Sequence, residues 1–253
     1  MQDLAGKVVF ISGASTGIGA AAARAFGAQG AHVVVHYNRS AAEAEAVAAD
    51  IIKGGSKAIA IGAEVRDSAA VNAAIAAAAQ HFGRIDVLIN NAGSLVKREA
   101  LEFVTDELFD EIVAINSRSV LAFTRAVIPL MRKQGGGNII NVTSVAARHG
   151  GGPGALIYAA SKGFVSTLTR GMAKELLADK IRVNAVAPGV IMTPFQERFS
   201  TAEQLEAFRK TIPMGRIGDP EECSGAFLYL ASDQLSGYVT GQIIDVNGGQ
   251  YMP

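Results

Sequence analysis

The sequence predicts an α/β fold, a doubly wound parallel sheet of about seven strands flanked by helices. Short Val/Ile runs without polar alternation recur along the chain, as in strands buried on both faces. Segments of helical period separate them, and strand–helix alternation calls for parallel crossovers. With 253 residues, 49 % hydrophobic and 18 % charged, the chain can bury such a sheet without disulfide or metal.

In order, Lys7–Ile11, His32–His36, Ala58–Ile61, Ile85–Asn90, Asn138–Val142, Ile181–Val186 and Gln242–Val246 read as strands. Helical periodicity covers Gly17–Ala28, Ala41–Lys53, Ser68–Phe82, Thr105–Lys133, Leu156–Ala178 and Pro220–Ala231. Glycine clusters such as Gly135–Gly137 and Gly150–Gly154 sit between elements as turns. With no linker and no repeat, residues 1–253 read as a single domain for cofactor binding and catalysis. The longest irregular region, Ala187–Asp219, follows a strand and holds a short helix near Ala202–Lys210. Ligands in open α/β sheets bind beyond the carboxyl ends of strands, so this is the expected substrate loop.

Composition excludes several functions. Net charge is zero, which argues against nucleic acid, whose phosphates need a basic surface. One cysteine, Cys223, and four scattered histidines cannot build a catalytic zinc site, so no metal is expected. Neither a secretory signal nor a run of 18 apolar residues is visible. The expectation is a cytoplasmic protein that binds no membrane.

After the first strand comes Ser12-Gly13-Ala14-Ser15-Thr16-Gly17-Ile18-Gly19, and then a helix. Glycines let the backbone turn sharply and approach a pyrophosphate, while the helix N-terminus aims free N–H groups at it. Its spacing is Gly-x-x-x-Gly-x-Gly. An acidic residue normally receives the adenosine ribose about 20 residues on. Here stand Tyr37-Asn38-Arg39-Ser40, and no Asp or Glu occurs from Leu4 to Ala42. Arg39 can grip a 2′-phosphate, so NADP is the preferred cofactor, with NAD possible. The competing ribose acceptor is Glu43, bending back from the next helix.

Tyr158 and Lys162 lie four apart at the start of a helix and share one face. A phenol with a pKa of about 10 is a poor base at neutral pH. An ammonium beside it lowers that value and makes proton transfer with an alcohol feasible. Ser144, fourteen residues upstream, stands just past a strand, where a substrate oxygen is expected.

Taken jointly, Ser12–Gly19, Asn90-Asn91-Ala92-Gly93, Asn116, Asn141–Ser144, Tyr158–Lys162, Pro188-Gly189 and Asp245–Gly249 resemble the short-chain dehydrogenase/reductase family over essentially the whole chain. The resemblance implies a Rossmann-like domain and an NAD(P)-dependent oxidoreductase that interconverts an alcohol and a carbonyl. Its catalytic set falls on Asn116, Ser144, Tyr158 and Lys162. Tyr158 would exchange the proton, Ser144 would hydrogen-bond the substrate oxygen, and Lys162 would bind the nicotinamide ribose and depress the Tyr158 pKa. Asn116 would interrupt its helix and hold a relay water. Asn91, Ala92 and Gly93 would lie against the adenine ribose, Glu64 and Val65 against adenine. Pro188, Gly189, Val190, Ile191 and Thr193 would hold the nicotinamide carboxamide. Glu64 replaces a common Asp, and Thr16 stands where many NADP-preferring relatives carry a cation. A homotetramer is also implied, with the two long helices at one interface.

A non-catalytic dinucleotide sensor is the rival from another class, but it has no need for the intact Ser, Tyr and Lys. The substrate stays open: the overall cast is nearest to 3-oxoacyl carrier-protein reductases and sugar or polyol dehydrogenases. Ser94–Arg98, Val145–Leu156 and the Ala187–Asp219 loop should line its pocket. Phe195, Phe199, Phe208 and Met214 read mostly as packing of the loop helix. Lys97, Arg98, Arg148 and His149 read as a solvated rim rather than an anion site.

Overall fold

Seven parallel strands form one sheet in the order β3-β2-β1-β4-β5-β6-β7 in the computed structural model, which describes residues 1–252. They are β1 Val8–Ile11, β2 His32–Tyr37, β3 Ala58–Gly62, β4 Val87–Asn90, β5 Gly137–Val142, β6 Ile181–Pro188 and β7 Ile243–Val246. Between them run α1 Gly17–Ala28, α2 Ala41–Lys53, α3 Ser68–Phe82, α4 Asp106–Val113, α5 Ser119–Lys133, α6 Ala146–His149, α7 Leu156–Glu175, α8 Pro194–Phe199, α9 Ala202–Thr211, α10 Ser224–Ala231 and α11 Asp233–Ser236.

Strand alternation divides the core between the two faces of the sheet. Val9 and Ile11 pack with Phe26, Val47 and Phe227 on one face. Val8 and Phe10 pack with Phe123, Met131 and Val165 on the other. Both faces are covered, which is why these strands carry no polar alternation. Helices α1 and α2 touch closely because residue 27 is glycine: a Cβ there would come within 2.7 Å of the Ile51 side chain.

The helix limits for α1, α2 and α3 agree with the periodicity. Asp67 caps α3 by accepting from the Ala69 N–H at 2.8 Å, and Gly83 ends it at φ +80°. The long helix expected over Thr105–Lys133 is interrupted around Asn116, as the family resemblance implied, by a π turn, Ala114–Arg118. Asp106–Lys133 is long and apolar enough to cross a membrane, but 56 % of its apolar 18-residue stretch is buried within the fold. The helix expected to reach Ala178 ends at Glu175, and Pro220–Cys223 is a 3-10 turn ahead of α10. The Ala187–Asp219 region is more ordered than expected, holding α8 as well as α9, which has a Thr201–Gln204 capping box.

Strand order reverses beside β1, whose neighbours are β2 and β4. Loops leaving the carboxyl ends of β1 and β4 therefore part and open a crevice there.

Candidate active site

A cleft of about 910 Å³ runs across these carboxyl ends. Its floor begins at the glycine turn. Gly13 lies at φ +64°, and a Cβ there would approach Ala92 Cα to 3.0 Å. At Gly19 a Cβ would overlap the Gly13 carbonyl. Asn91 Nδ2 donates to the carbonyls of Ser12 and Gly13 at 2.9 and 2.8 Å, and Ser12 Oγ accepts from the Asn91 and Ala92 N–H groups. Thr16 at the N-cap of α1 makes no side-chain capping bond, so first-turn N–H groups remain free for an anion. The turn thus fits a dinucleotide pyrophosphate.

One residue holding this turn was missed by sequence reasoning. His36 is buried, accepts the Gly13 N–H on Nδ1 at 3.1 Å, and donates from Nε2 to the Ala63 carbonyl at 3.1 Å. Burial pushes its pKa down to about 4, so it stays neutral. Its signal was a polar side chain in the otherwise apolar HVVVH run. Tyr37, expected at the cofactor, points the other way, half-buried over Gly62 at the edge of the apolar core. Successive strand residues face opposite sides, so His36 facing the turn sends Tyr37 away.

Asn38, Arg39 and Ser40 line the cleft beyond β2. Arg39 is exposed and, among the described residues, makes no ion pair. Glu43 is exposed on α2 and is not part of the lining. Glu64 and Val65 line the same end. The Arg66 guanidinium, hydrogen-bonded to Glu64 at 2.9 Å, draws its carboxyl down to about 2, and Asn38 donates to it at 3.1 Å.

Ser144, Tyr158 and Lys162 meet at the other end. Ser144 follows β5 and is anchored by accepting the Ala146 N–H at 3.1 Å. Lys162 is buried, and its Nζ donates to the Val142 carbonyl at 2.8 Å while lying 5.9 Å from the Tyr158 ring centroid. The expected depression of the Tyr158 pKa is not what this geometry gives. Burial pushes the phenol up to about 12, and only a hydrogen bond with Ser144 acts downward. Burial likewise lowers Lys162 to about 8. The ammonium sits with a carbonyl rather than the phenol oxygen, so desolvation wins.

Asn116 lies in the π turn, fully buried and outside the cleft lining. Its amide is tied to Ser94, accepting from N–H at 2.9 Å and donating to the carbonyl at 2.8 Å. Gly93 separates it from the cleft: a Cβ there would stand 2.9 Å from Asn116 Oδ1 and 3.2 Å from Lys162 Nζ. Pro188, Gly189, Val190, Ile191 and Thr193, at and beyond the end of β6, form one wall of the cleft. Thr193 Cγ2 would lie 3.1 Å from a Cβ on Gly17, closing that wall over α1.

Phe195, Phe199 and Phe208 line the cleft instead of only packing their helices, whereas Met214 is exposed. The rim residues divide as well. Lys97 pairs with Glu99 and Arg148 with Asp245, but Arg98 and His149 face the cleft. No cluster of metal-ligating residues occurs among the described residues, and the buried Cys223 thiol is pushed up to about 12, away from reactivity.

A glycine turn on a parallel sheet, joined to a Ser/Tyr/Lys cluster by one cleft, defines a dinucleotide-dependent oxidoreductase. A family model described as enoyl-(acyl carrier protein) reductase matches residues 13–250. A 3-oxoacyl-[acyl-carrier-protein] reductase of Synechocystis is 42 % identical over 252 residues, covering 100 % of both chains. The solved 3-ketoacyl-(acyl-carrier-protein) reductase of Brucella melitensis, complexed with NADH, superimposes with TM-score 0.90 at 39 % identity, covering 98 % of this chain and 99 % of that one. NADH-dependent reductase A1-R′, complexed with NAD, gives TM-score 0.88 at 37 % identity, covering 100 % and 99 %. The chain belongs to the short-chain dehydrogenase/reductase family and is an NAD(P)-dependent oxidoreductase.

Proposed function

We propose that this chain reduces a carbonyl to an alcohol with Tyr158 as the proton donor, Ser144 holding the substrate oxygen, and NADP(H) preferred over NAD(H). The observation that carries the reading is the meeting of Ser144, Tyr158 and Lys162 in one cleft with the glycine turn. Bound reduced nicotinamide supplies the hydride. Ser144 Oγ and Tyr158 Oη together present two hydroxyls to the substrate oxygen and so polarise the carbonyl. With a pKa near 12 the phenol is protonated at neutral pH and can give its proton as negative charge develops on that oxygen. Lys162 donates to the Val142 carbonyl at the cleft floor; with cofactor bound it would hold the nicotinamide ribose hydroxyls, and its charge would stabilise the phenolate left behind. Asn116 acts from behind Gly93 by fixing the Ser94 backbone at the substrate's edge.

Two hydroxyls aimed at one oxygen favour carbonyl over carbon–carbon double-bond reduction. The 3-oxoacyl carrier-protein reductases are the best-supported substrate class because a full-length relative at 42 % identity is so described; sugar or polyol oxidation is the alternative. The NADP preference rests on Arg39, exposed at the cleft without a carboxylate partner. One domain holds both half-sites, with 187–219 as the substrate loop. Exposed Phe109, Leu156 and Phe164 on α4 and α7 support a homotetramer, which would work in the cytoplasm. Oxidation of NADPH and NADH by acetoacetyl thioesters, followed by loss of nicotinamide absorbance, tests the reading. Failure of every carbonyl tried would reject it.

A further inference from the structure

The substrate half of the cleft is cationic and carries no acid. Among the described residues the lining of the whole cleft includes only two carboxylates, Glu64 and Glu111, and Arg66 pairs with both, at 2.9 and 3.1 Å. At the Tyr158 end stand Arg98 and Arg198, neither with an ion-pair partner among the described residues. Both converge on Phe199: Arg98 Nε donates to its carbonyl at 2.6 Å, and Arg198 Cζ lies 5.1 Å from its ring centroid. Aromatic contacts lead from there to the reacting centre. The Phe199 ring is 5.0 Å from Phe195, and Phe195 is 5.6 Å from Tyr158.

Arg98 is partly buried, and its only hydrogen bonds go to backbone carbonyls, Phe199 and Pro153 (2.9 Å). Burial with no counter-charge holds its pKa below the ordinary guanidinium value. Its Nη2 makes no hydrogen bond among the described residues. A guanidinium held by two neutral carbonyls keeps its charge uncompensated, and its unengaged Nη2 can donate a charge-assisted bond to a carboxylate or phosphate.

We propose that Arg98, assisted by Arg198, binds an anionic group on the substrate, so that the substrate is an oxo acid or a phosphate-bearing oxo thioester and not a neutral ketone. This rests on the carbonyl-reductase reading above and departs, for Arg98, from the expectation of an ordinary solvated rim.

The test compares acetoacetate and levulinate with their methyl esters, and adds acetoacetyl-coenzyme A as the phosphate-bearing source. The acid, or the coenzyme A thioester, should exceed its neutral counterpart in kcat/KM by roughly 10- to 100-fold, as one charge-assisted hydrogen bond allows. In Arg98→Gln that ratio should collapse, chiefly through KM, with partial rescue in Arg98→Lys and a smaller loss in Arg198→Gln. A purely stapling role for Arg98 would lower charged and neutral turnover by the same factor and leave the ratio intact, which overturns the proposal. Should Arg98→Gln not fold, propionate inhibition of ester reduction by the unaltered protein decides. Competitive inhibition supports the anion site, and none rejects it. Turnover of esters with no anion preference sinks the anion site alone, whereas no turnover of any compound sinks the carbonyl-reductase reading with it.

Discussion

His36 accepts the Gly13 N–H at 3.1 Å, so the end of β2 holds the glycine turn that follows β1. A second bond, from Nε2 to Ala63, fixes the tautomer this requires. Protonation of Nδ1 would turn the acceptor into a donor facing another donor.

Burial of the His36 imidazole, which outweighs the upward pull of its bond to Ala63, makes stability depend on acid. The folded-state pKa of His36 is about 4 against 6.5 when unperturbed. Between those values the unfolded chain binds a proton that the folded chain does not, so stability falls as pH drops from 6.5 towards 4. The full contribution, present above 6.5, is roughly 3 kcal/mol. Urea unfolding of His36→Gln across that window should show a flatter profile than the unaltered protein, and parallel profiles would contradict this account.

Tyr158→Phe should leave a folded protein that still binds cofactor while kcat falls at least about 10²-fold. Cofactor binding followed by fluorescence separates a chemical loss from a folding one. Near-normal turnover in this variant would remove Tyr158 from the mechanism.

Lys162 titrates near 8 because its ammonium is buried. Below that pH it is charged and can stabilise the developing phenolate; above it that help is lost. Reduction should therefore decline as pH rises through about 8, and Lys162→Arg, if it binds cofactor, should move the decline upward. A flat profile to pH 10 or so would show that the charge is not needed.

Arg39→Ala should erase an NADP over NAD preference of roughly tenfold in kcat/KM, the size of one modest charge-assisted contact. Glu43→Gln should change little, since Glu43 lies outside the cleft lining. A native preference for NAD that Glu43→Gln abolishes would reverse the two assignments.

Light scattering at micromolar concentration should report four copies, with Phe109 and Phe164 covered in the assembly. Replacing Phe164 by Asp should split it. A monomeric native protein would leave these aromatics unexplained.

Much of this molecule was legible because the relevant patterns are local. Apolar spacing three to four residues apart set α1, α2 and α3, and the i, i+4 step alone put Tyr158 and Lys162 on one face of α7. Unbroken Val and Ile runs identified strands covered on both sides. What the tertiary structure decided depends on residues distant in the chain. Asn91 reaches back 78 residues to the Gly13 carbonyl, which no window along the sequence contains. The π turn at Asn116 is tied to α7, where Ser117 Oγ donates to the Ser161 carbonyl 44 residues on. Strand pairing chose which of His36 and Tyr37 faces the cofactor turn. The pKa values of Tyr158 and Lys162 follow from burial more than from their spacing. Among four similar basic residues, only the folded loops separate the paired Lys97 and Arg148 from the unpaired Arg98 at the cleft. Periodicity is written in near neighbours, whereas desolvation and charge compensation arise only when distant segments close over a group.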